Sequence, residues 1–263
     1  MFSKLEAFIL TLVFKLEVFE EKLSRYSGYQ KGSIIKWKKQ SRTSWKTVIK
    51  ILKELQIYTE LEIRAAFREV VQNNSALFYD ANTFIVPFGK TGKSGDKMIY
   101  EFRRALPNLE SKIIEKYEIV EKSNSNLIFL DDIIGTGYQS TSYIYSSLYQ
   151  LLNPSNTSYL ITVCSTPQGV YEVQQAGFRV LQHTLLDETR HFYLNENCGV
   201  FSAKEKEFLA YLNYQLIEKE NRYHLGLLLA FHYSTPDNTM PIIWKNQKEP
   251  GKMTWAALLP RDF

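Results

Sequence analysis

The sequence predicts an α/β fold, a parallel sheet flanked by helices, with a helical N-terminal extension and a C-terminal tail that follows a long helix. Three observations carry this. From Thr83 to Leu186, short apolar runs alternate with helix-length amphipathic stretches, the pattern of a parallel sheet with right-handed crossovers. Ahead of Thr83, apolar residues recur at helical spacing. Two of the apolar runs end at loops rich in Gly, Lys or Asp, and such sheets bind ligands beyond the C-terminal ends of their strands. Three segments follow: 1–78, helical and basic; 79–200, the α/β core; and 201–263, the long helix and tail.

Phe8, Leu12, Leu16 and Phe19 lie on one helical face, so residues 1–25 read as a helix, broken by Ser27-Gly28 and Lys31-Gly32-Ser33. Ser44–Leu55 forms the next, with Val48, Ile51, Leu52 and Leu55 on one face. The Thr59-x-x-Glu62 spacing is a capping box for a helix over Glu60–Gln72. Thr83–Pro87 begins the core as a strand, followed by a helix near Asp96–Leu106. Tyr117–Val120 reads as a short strand, and Leu127–Leu130 as a strong one that ends at two aspartates. A helix over Thr141–Leu152 is closed by Asn153-Pro154. The strand Tyr159–Ser165, the helix Gly169–Ala176 and the strand Phe178–Leu186 complete the core. Lys204–Tyr223 reads as a long helix. The remaining tail is strand and turn, with Thr235-Pro236-Asp237-Asn238 as a turn.

Composition narrows the class. An apolar share of 44% over 263 residues supports a sizeable core and excludes a disordered chain. The N-terminal stretch Phe2–Phe19 is interrupted by Lys4, Glu6, Lys15 and Glu17. Its longest uncharged run, Ala7–Phe14, is far short of the roughly 20 residues that a membrane span needs. It has no small-residue cleavage site, so neither a membrane anchor nor a signal peptide is expected. Cys164 and Cys198 are too few for a disulfide framework and lack CxxC spacing; they read as small buried residues in a reducing cytoplasm. His183, His191 and His224 have no flanking context and read as structural. The net charge of +4 conceals an asymmetry: Lys22 to Lys53 carries ten cations and no acid, which leaves the rest of the chain at −6.

The chemistry centres on Leu127-Ile128-Phe129-Leu130-Asp131-Asp132-Ile133-Ile134-Gly135-Thr136-Gly137. Adjacent carboxylates at a strand end are costly without a positive or hydroxylated partner. A ribose offers vicinal hydroxyl donors. Gly135-Thr136-Gly137 turns the backbone tightly, and the next helix presents its N-terminus, so amide N–H groups and the hydroxyls of Thr136, Ser140 and Thr141 suit a phosphate. The competing reading is a polar turn that caps a helix. This run resembles the signature of type I phosphoribosyltransferases, as do Ile161–Thr166, Pro167-Gln168-Gly169 and Ala176-Gly177-Phe178; the likeness spans about residues 80–190. It implies that Asp131 and Asp132 hold the ribose of phosphoribosyl pyrophosphate (PRPP), that Gly135 to Ser140 bind its 5′-phosphate, and that Mg²⁺ is bound through the ligand. Gly135 and Gln139 stand where the family often has hydroxyl residues.

The second motif is Pro87-Phe88-Gly89-Lys90-Thr91-Gly92-Lys93-Ser94-Gly95-Asp96. It is not a Walker A loop, because Pro87 stands where the earlier Gly is required. As a pyrophosphate loop it offers Gly89, Lys90, Gly92, Lys93 and Ser94; the alternative is an exposed basic loop. With Tyr100–Arg103 and the tail residues His232–Trp244, Trp255 and Leu259-Pro260-Arg261, it resembles a phosphoribosyltransferase-like branch of prokaryotic conflict and antiviral systems, including retron-type modules. That resemblance implies a toxic effector controlled by partners, such as a reverse transcriptase with its RNA–DNA product, acting as an oligomer or complex.

Two regions flank the core. His232, Asn238 and Trp244 are candidates for a hood over the acceptor; the other reading is a satisfied turn with a core tryptophan. The basic stretch, with Lys36, Lys38, Lys39, Arg42 and Lys46 between Tyr26, Tyr29, Trp37 and Trp45, suits a nucleic-acid backbone with stacking, or else is a solvated helical face. The expected activity is transfer or cleavage at ribose C1. The alternatives are a nucleotide or PRPP sensor without turnover, and a nucleotide glycosidase.

Overall fold

The computed structural model describes residues 16–217, 225–248 and 253–261. The start of the expected N-terminal helix (1–15), the end of the expected long helix (218–223) and His224 lie outside the described residues. Residues 16–23 are helical. The elements then run α1 (Ser33–Ser41), α2 (Trp45–Glu54), β1 (Gln56–Tyr58), α3 (Glu60–Asn73), α4 (Ser75–Tyr79), β2 (Thr83–Pro87), α5 (Ser94–Ala105), β3 (Asn126–Ile134), α6 (Tyr138–Tyr143), β4 (Thr157–Ser165), α7 (Pro167–Gln175), β5 (Arg179–Leu185), α8 (Ala203–Tyr214), β6 (Leu229–Phe231) and α9 (Pro241–Trp244).

The chain divides into two compact units. One is Glu60–Glu188; the other joins the chain up to Thr59 with the chain from Thr189 onward. These bounds differ from the three segments expected from sequence. Helix α3, grouped there with the N-terminal extension, packs within the sheet unit, and the N- and C-terminal segments form a single body.

In the sheet unit, β2, β3, β4 and β5 lie side by side in chain order, all parallel. A parallel neighbour requires a crossover, and α5, α6 and α7 supply the three. Strand β3 has no polar alternation up to Leu130 because both of its faces are covered. Leu127 and Phe129 pack with Ile144, Leu148 and Val173. The opposite face is covered by α5, which meets β2 and β3, and by α3, which meets α5, β4 and β5. Phe67 of α3 meets Phe102 of α5 edge-on at 5.5 Å, and Arg64 pairs with Glu101 at 2.6 Å.

In the second unit the expected long helix Lys204–Tyr223 ends at Tyr214, and three elements of the sheet unit also depart from the sequence reading. Strand β3 continues through the aspartates to Ile134, with Asp131 opposite Thr162 and Ile134 opposite Ser165. Tyr117–Val120 lies in a 3-10 turn, Lys116–Glu121, because the Glu118 carboxylate accepts the Glu115 N–H at 2.6 Å and closes a capping box. The helix after Gly137 begins at Tyr138 and passes into a π-helical turn at Ile144–Leu148.

In the second unit, β1 pairs in parallel with β6, Ile57 opposite Ala230. Trp37 and Trp255 meet edge to face at 6.0 Å, and both indoles donate to the Ile242 carbonyl, at 2.8 and 3.0 Å. Tyr26 donates its hydroxyl to the Pro260 carbonyl at 2.6 Å. Residues more than two hundred positions apart thus share one core. Cys164 and Cys198 are both buried, without a disulfide. No helix among the described residues is long and apolar enough to cross a membrane.

Candidate functional site

The two loop motifs lie next to each other because β2 and β3 are neighbours. Pro87 stands opposite Leu130, and the Phe88 N–H donates to the Leu130 carbonyl at 3.0 Å. The chain then loops through Gly89–Lys93 and returns as α5. Gly95 lets it return so closely: a Cβ there would stand 1.9 Å from the Phe88 carbonyl oxygen. This fold-back brings Ser94, the first residue of α5, onto the acidic pair, and its hydroxyl donates to Asp131 Oδ1 at 2.5 Å.

The same Oδ1 accepts the Asp132 N–H at 3.0 Å, while Asp132 Oδ1 accepts the Ile133 N–H at 2.8 Å. Burial, and then the adjacent Asp132 carboxylate, push the Asp131 carboxyl well above the usual carboxylate range, against the Ser94 hydroxyl and the Asp132 N–H, which favour the ionised form.

The Gly135–Gly137 turn is braced from behind by the start of α7. Thr166 donates its hydroxyl to the Gly135 carbonyl at 2.6 Å and its N–H to the Ile134 carbonyl at 3.0 Å. Gly169 fits against the turn because it has no side chain; a Cβ would lie 2.2 Å from the Gly135 oxygen. Sequence reasoning did not assign Thr166 to the site. Its signal was Thr166-Pro167-Gln168-Gly169, a capped helix start beside the motif.

The expected phosphate and pyrophosphate ligands are placed as follows. Lys90 and Lys93 are exposed, and Gly89 and Gly92 lie in the loop between β2 and α5. The Gly92 N–H is taken by the Asp96 carboxylate at 2.5 Å. Ser94 faces Asp131 rather than the loop mouth. Thr136 Oγ1 accepts the Tyr138 N–H at 3.4 Å, and Ser140 is buried. Thr141 donates its hydroxyl to the carbonyls of Gly137 and Tyr138, at 3.0 and 3.2 Å, an ordinary contact within a helical turn.

The hood candidates belong to the other unit. Trp244 is buried there, its indole donating to the Thr239 carbonyl at 2.9 Å, and Asn238 accepts the Leu227 N–H at 3.0 Å through its main chain. The His232 N–H donates to the Tyr58 carbonyl at 2.8 Å. In the basic stretch Lys36, Lys39, Arg42 and Lys46 are exposed. Lys38 lies 5.8 Å from the centroid of the Trp45 ring. Tyr26 and Trp37 are core residues and offer no stacking surface, since each is buried with its polar atom bonded.

The PRTase-CE family model matches residues 34–261. No curated protein matches the chain. Among solved structures it is similar to the orotate phosphoribosyltransferase from Aeropyrum pernix, at 12% identity over 47% of this chain and 68% of that one, with a TM-score of 0.32. It is similar to a hypoxanthine-guanine-xanthine phosphoribosyltransferase, at 16% identity over 51% and 81%, TM-score 0.35. It is also similar to the hypoxanthine phosphoribosyltransferase of Trypanosoma cruzi, at 16% identity over 50% and 82%, TM-score 0.31.

Proposed function

The chain belongs to the PRTase-CE family, and from that premise we propose that the ends of β2 and β3 bind PRPP or a related ribose phosphate and support transfer or cleavage at the ribose C1. The observation that carries this reading is the hydrogen bond from Ser94 to Asp131, which joins a lysine-glycine loop to an acidic pair on the neighbouring strand. One ligand with a pyrophosphate at one end and hydroxyls in the middle has partners for both.

In this reading Asp131 and Asp132 accept from the ribose hydroxyls and orient the sugar. The Gly135–Gly137 turn, held by Thr166, takes the 5′-phosphate. Lys90 and Lys93 draw pyrophosphate charge away from C1 as the glycosidic bond breaks. The acidic pair fits Mg²⁺ by its chemistry: two adjacent carboxylates, one with its charge disfavoured by burial and by the other, are hard oxygen donors that gain from a cation nearby. Mg²⁺ would be bound through the ligand, with the acidic pair nearby, and would offset leaving-group charge.

The finer reading is a toxic effector of an antiviral, retron-type system, cytoplasmic and held in check by partners that include a reverse transcriptase with its RNA–DNA product. Its support is the resemblance of Phe88–Asp96 and His232–Trp244 to that branch, together with the exposed cations of α1 and α2. A sensor without turnover is the second reading. The burial of Trp244 favours it, because that ring offers no free face for stacking a base.

The test is incubation with PRPP, Mg²⁺ and a metabolite extract, with pyrophosphate and ribosylated products followed by mass spectrometry. Turnover that Asp131→Asn abolishes is the expected result. PRPP binding without turnover, lost in the same variant, selects the sensor. Turnover and binding both untouched by Asp131→Asn and Asp132→Asn would reject the site.

A further inference from the structure

Lys116 belongs to neither loop motif, yet its ammonium reaches the first of them and the helix that follows the second. It opens the turn Lys116–Glu121, whose start is fixed by the Glu115–Glu118 capping box. Its Nζ donates to the carbonyl oxygen of Gly89, at the root of the lysine-glycine loop. The same Nζ lies 5.8 Å from the centroid of the Tyr143 ring. That ring packs edge-on against Phe88 at 5.0 Å, and Tyr143 closes the helix that follows Gly137. Burial lowers the Lys116 pKa, against the favourable fields of Asp96 and Glu115. A partly buried cation thus donates to a main-chain carbonyl beside an aromatic ring, unlike a fully solvated surface lysine.

The geometry of the peptide unit says what this contact does. A trans peptide is planar, and its C=O and N–H point in opposite directions. No cis bond occurs among the described residues. The Gly89 carbonyl and the Lys90 N–H belong to one peptide unit. Holding the carbonyl toward Lys116 therefore turns the Lys90 N–H away from Lys116. That N–H meets no protein acceptor among the described residues, whereas the Gly92 N–H is taken by Asp96.

We propose that Lys116 is a positioning residue for the lysine-glycine loop: it fixes the Gly89–Lys90 peptide so that the Lys90 N–H is presented to a pyrophosphate oxygen. This rests on the sugar-phosphate reading above and adds a residue that neither motif contains. The role needs a donor to the carbonyl, so it differs from a general electrostatic attraction to anions.

Limited trypsin digestion of the full chain, read by mass spectrometry after Lys90 and Lys93, reports whether the loop is held. Isothermal titration with pyrophosphate reports whether it binds. Lys116→Met removes the donor and the charge, Lys116→Gln keeps a donor without charge, and Lys116→Arg keeps both. In Lys116→Met we expect cleavage at the loop to rise and pyrophosphate affinity to fall, each by about tenfold, the scale of one hydrogen bond to a charged group. Lys116→Arg is expected to match the parent and Lys116→Gln to lie between. Unchanged cleavage and affinity in Lys116→Met overturn the positioning role. So does a Lys116→Gln that is as impaired as Lys116→Met, because charge alone would then account for the loss. If Lys116→Met fails to fold, Lys116→Gln against Lys116→Arg decides by the same readouts. Pyrophosphate that neither binds nor protects the parent's loop, while Lys116→Met still speeds cleavage, rejects the sugar-phosphate reading and leaves the hold on Gly89 intact.

Discussion

Asp131 is a residue that the fold tolerates rather than gains from. An aspartate in the unfolded chain ionises near pH 3.9. In the folded chain burial and Asp132 hold the Asp131 carboxyl well above that range. Above the unfolded value the charged form is therefore worse off folded than unfolded, and stability falls as pH rises from there through the folded value. Asp131→Asn removes this cost while keeping the oxygen that accepts from Ser94 and from the Asp132 N–H. The variant is expected to melt higher than the parent at pH 7, by about 2–4 °C for each kcal/mol recovered, and to equal it at pH 3, where both side chains are neutral. Calorimetry at the two pH values checks this, and a lower melting point at pH 7 contradicts it. The acidic pair was legible in the sequence because it sits within one short run. The Ser94 contact was not: Ser94 reads as one more loop hydroxyl until the register of β2 on β3 and the bare Cα of Gly95 bring it to Asp131. Thr141 shows the same limit in reverse, since a hydroxyl one turn into a helix finds a carbonyl of its own helix before it finds a ligand.

Among the elements, those with a full local period were legible and those that depend on distant partners were not. α2 begins where Ser44 accepts the Thr47 N–H at 3.1 Å, and it buries the Val48, Ile51 and Leu52 face. β1 is three residues long and exists only because Leu229–Phe231 lies beside it, so nothing local announces it. α2 and α8 are joined by a clamp that sequence could not show. Glu205 opens α8 in a capping box with Ser202, pairs with Lys50 at 2.6 Å and accepts the Thr47 hydroxyl at 2.9 Å. Burial alone would raise its pKa. Lys50, the Ser202 N–H and the Thr47 hydroxyl outweigh burial and depress it to about 2. A depressed acid stabilises the fold fully above its unfolded value, near 4.3, and loses that contribution as pH falls toward 2. Glu205→Gln is therefore expected to cost on the order of 2 kcal/mol at pH 7, where the clamp is charged, and much less near pH 2.5. Urea unfolding at both pH values measures it. An equal loss at the two would assign the effect to capping alone.

At the scale of the whole molecule, the sheet unit was legible and the other unit was not, for a topological reason. The sheet unit is one continuous stretch whose period changes mark its strands. The other unit is assembled from both ends of the chain, and Trp37 with Ile242 or Tyr26 with Pro260 have no local signature. That assembly alters the reading of the basic stretch. Its ten cations divide by task. Lys22 donates to the carbonyls of Leu52 and Lys53, both at 3.0 Å, and so closes the end of α2. Lys50 holds Glu205. Lys36, Lys39, Arg42 and Lys46 remain exposed on α1 and α2 or at their ends. If this face meets a nucleic-acid backbone, each phosphate neutralised adds about 0.9 to the slope of log affinity against log salt for a duplex. Replacing those four residues by Ala is then expected to lower the slope by about 3.6, uniformly across sequences. Lys50→Ala should leave the slope unchanged and lower the melting point, because its charge is spent inside the fold. Fluorescence anisotropy with an RNA–DNA hybrid over a salt series separates the two classes. A slope that stays the same in the fourfold variant, or one that falls equally with Lys50→Ala, would return the basic stretch to a solvated helical face, with packing around Trp37 as its whole purpose.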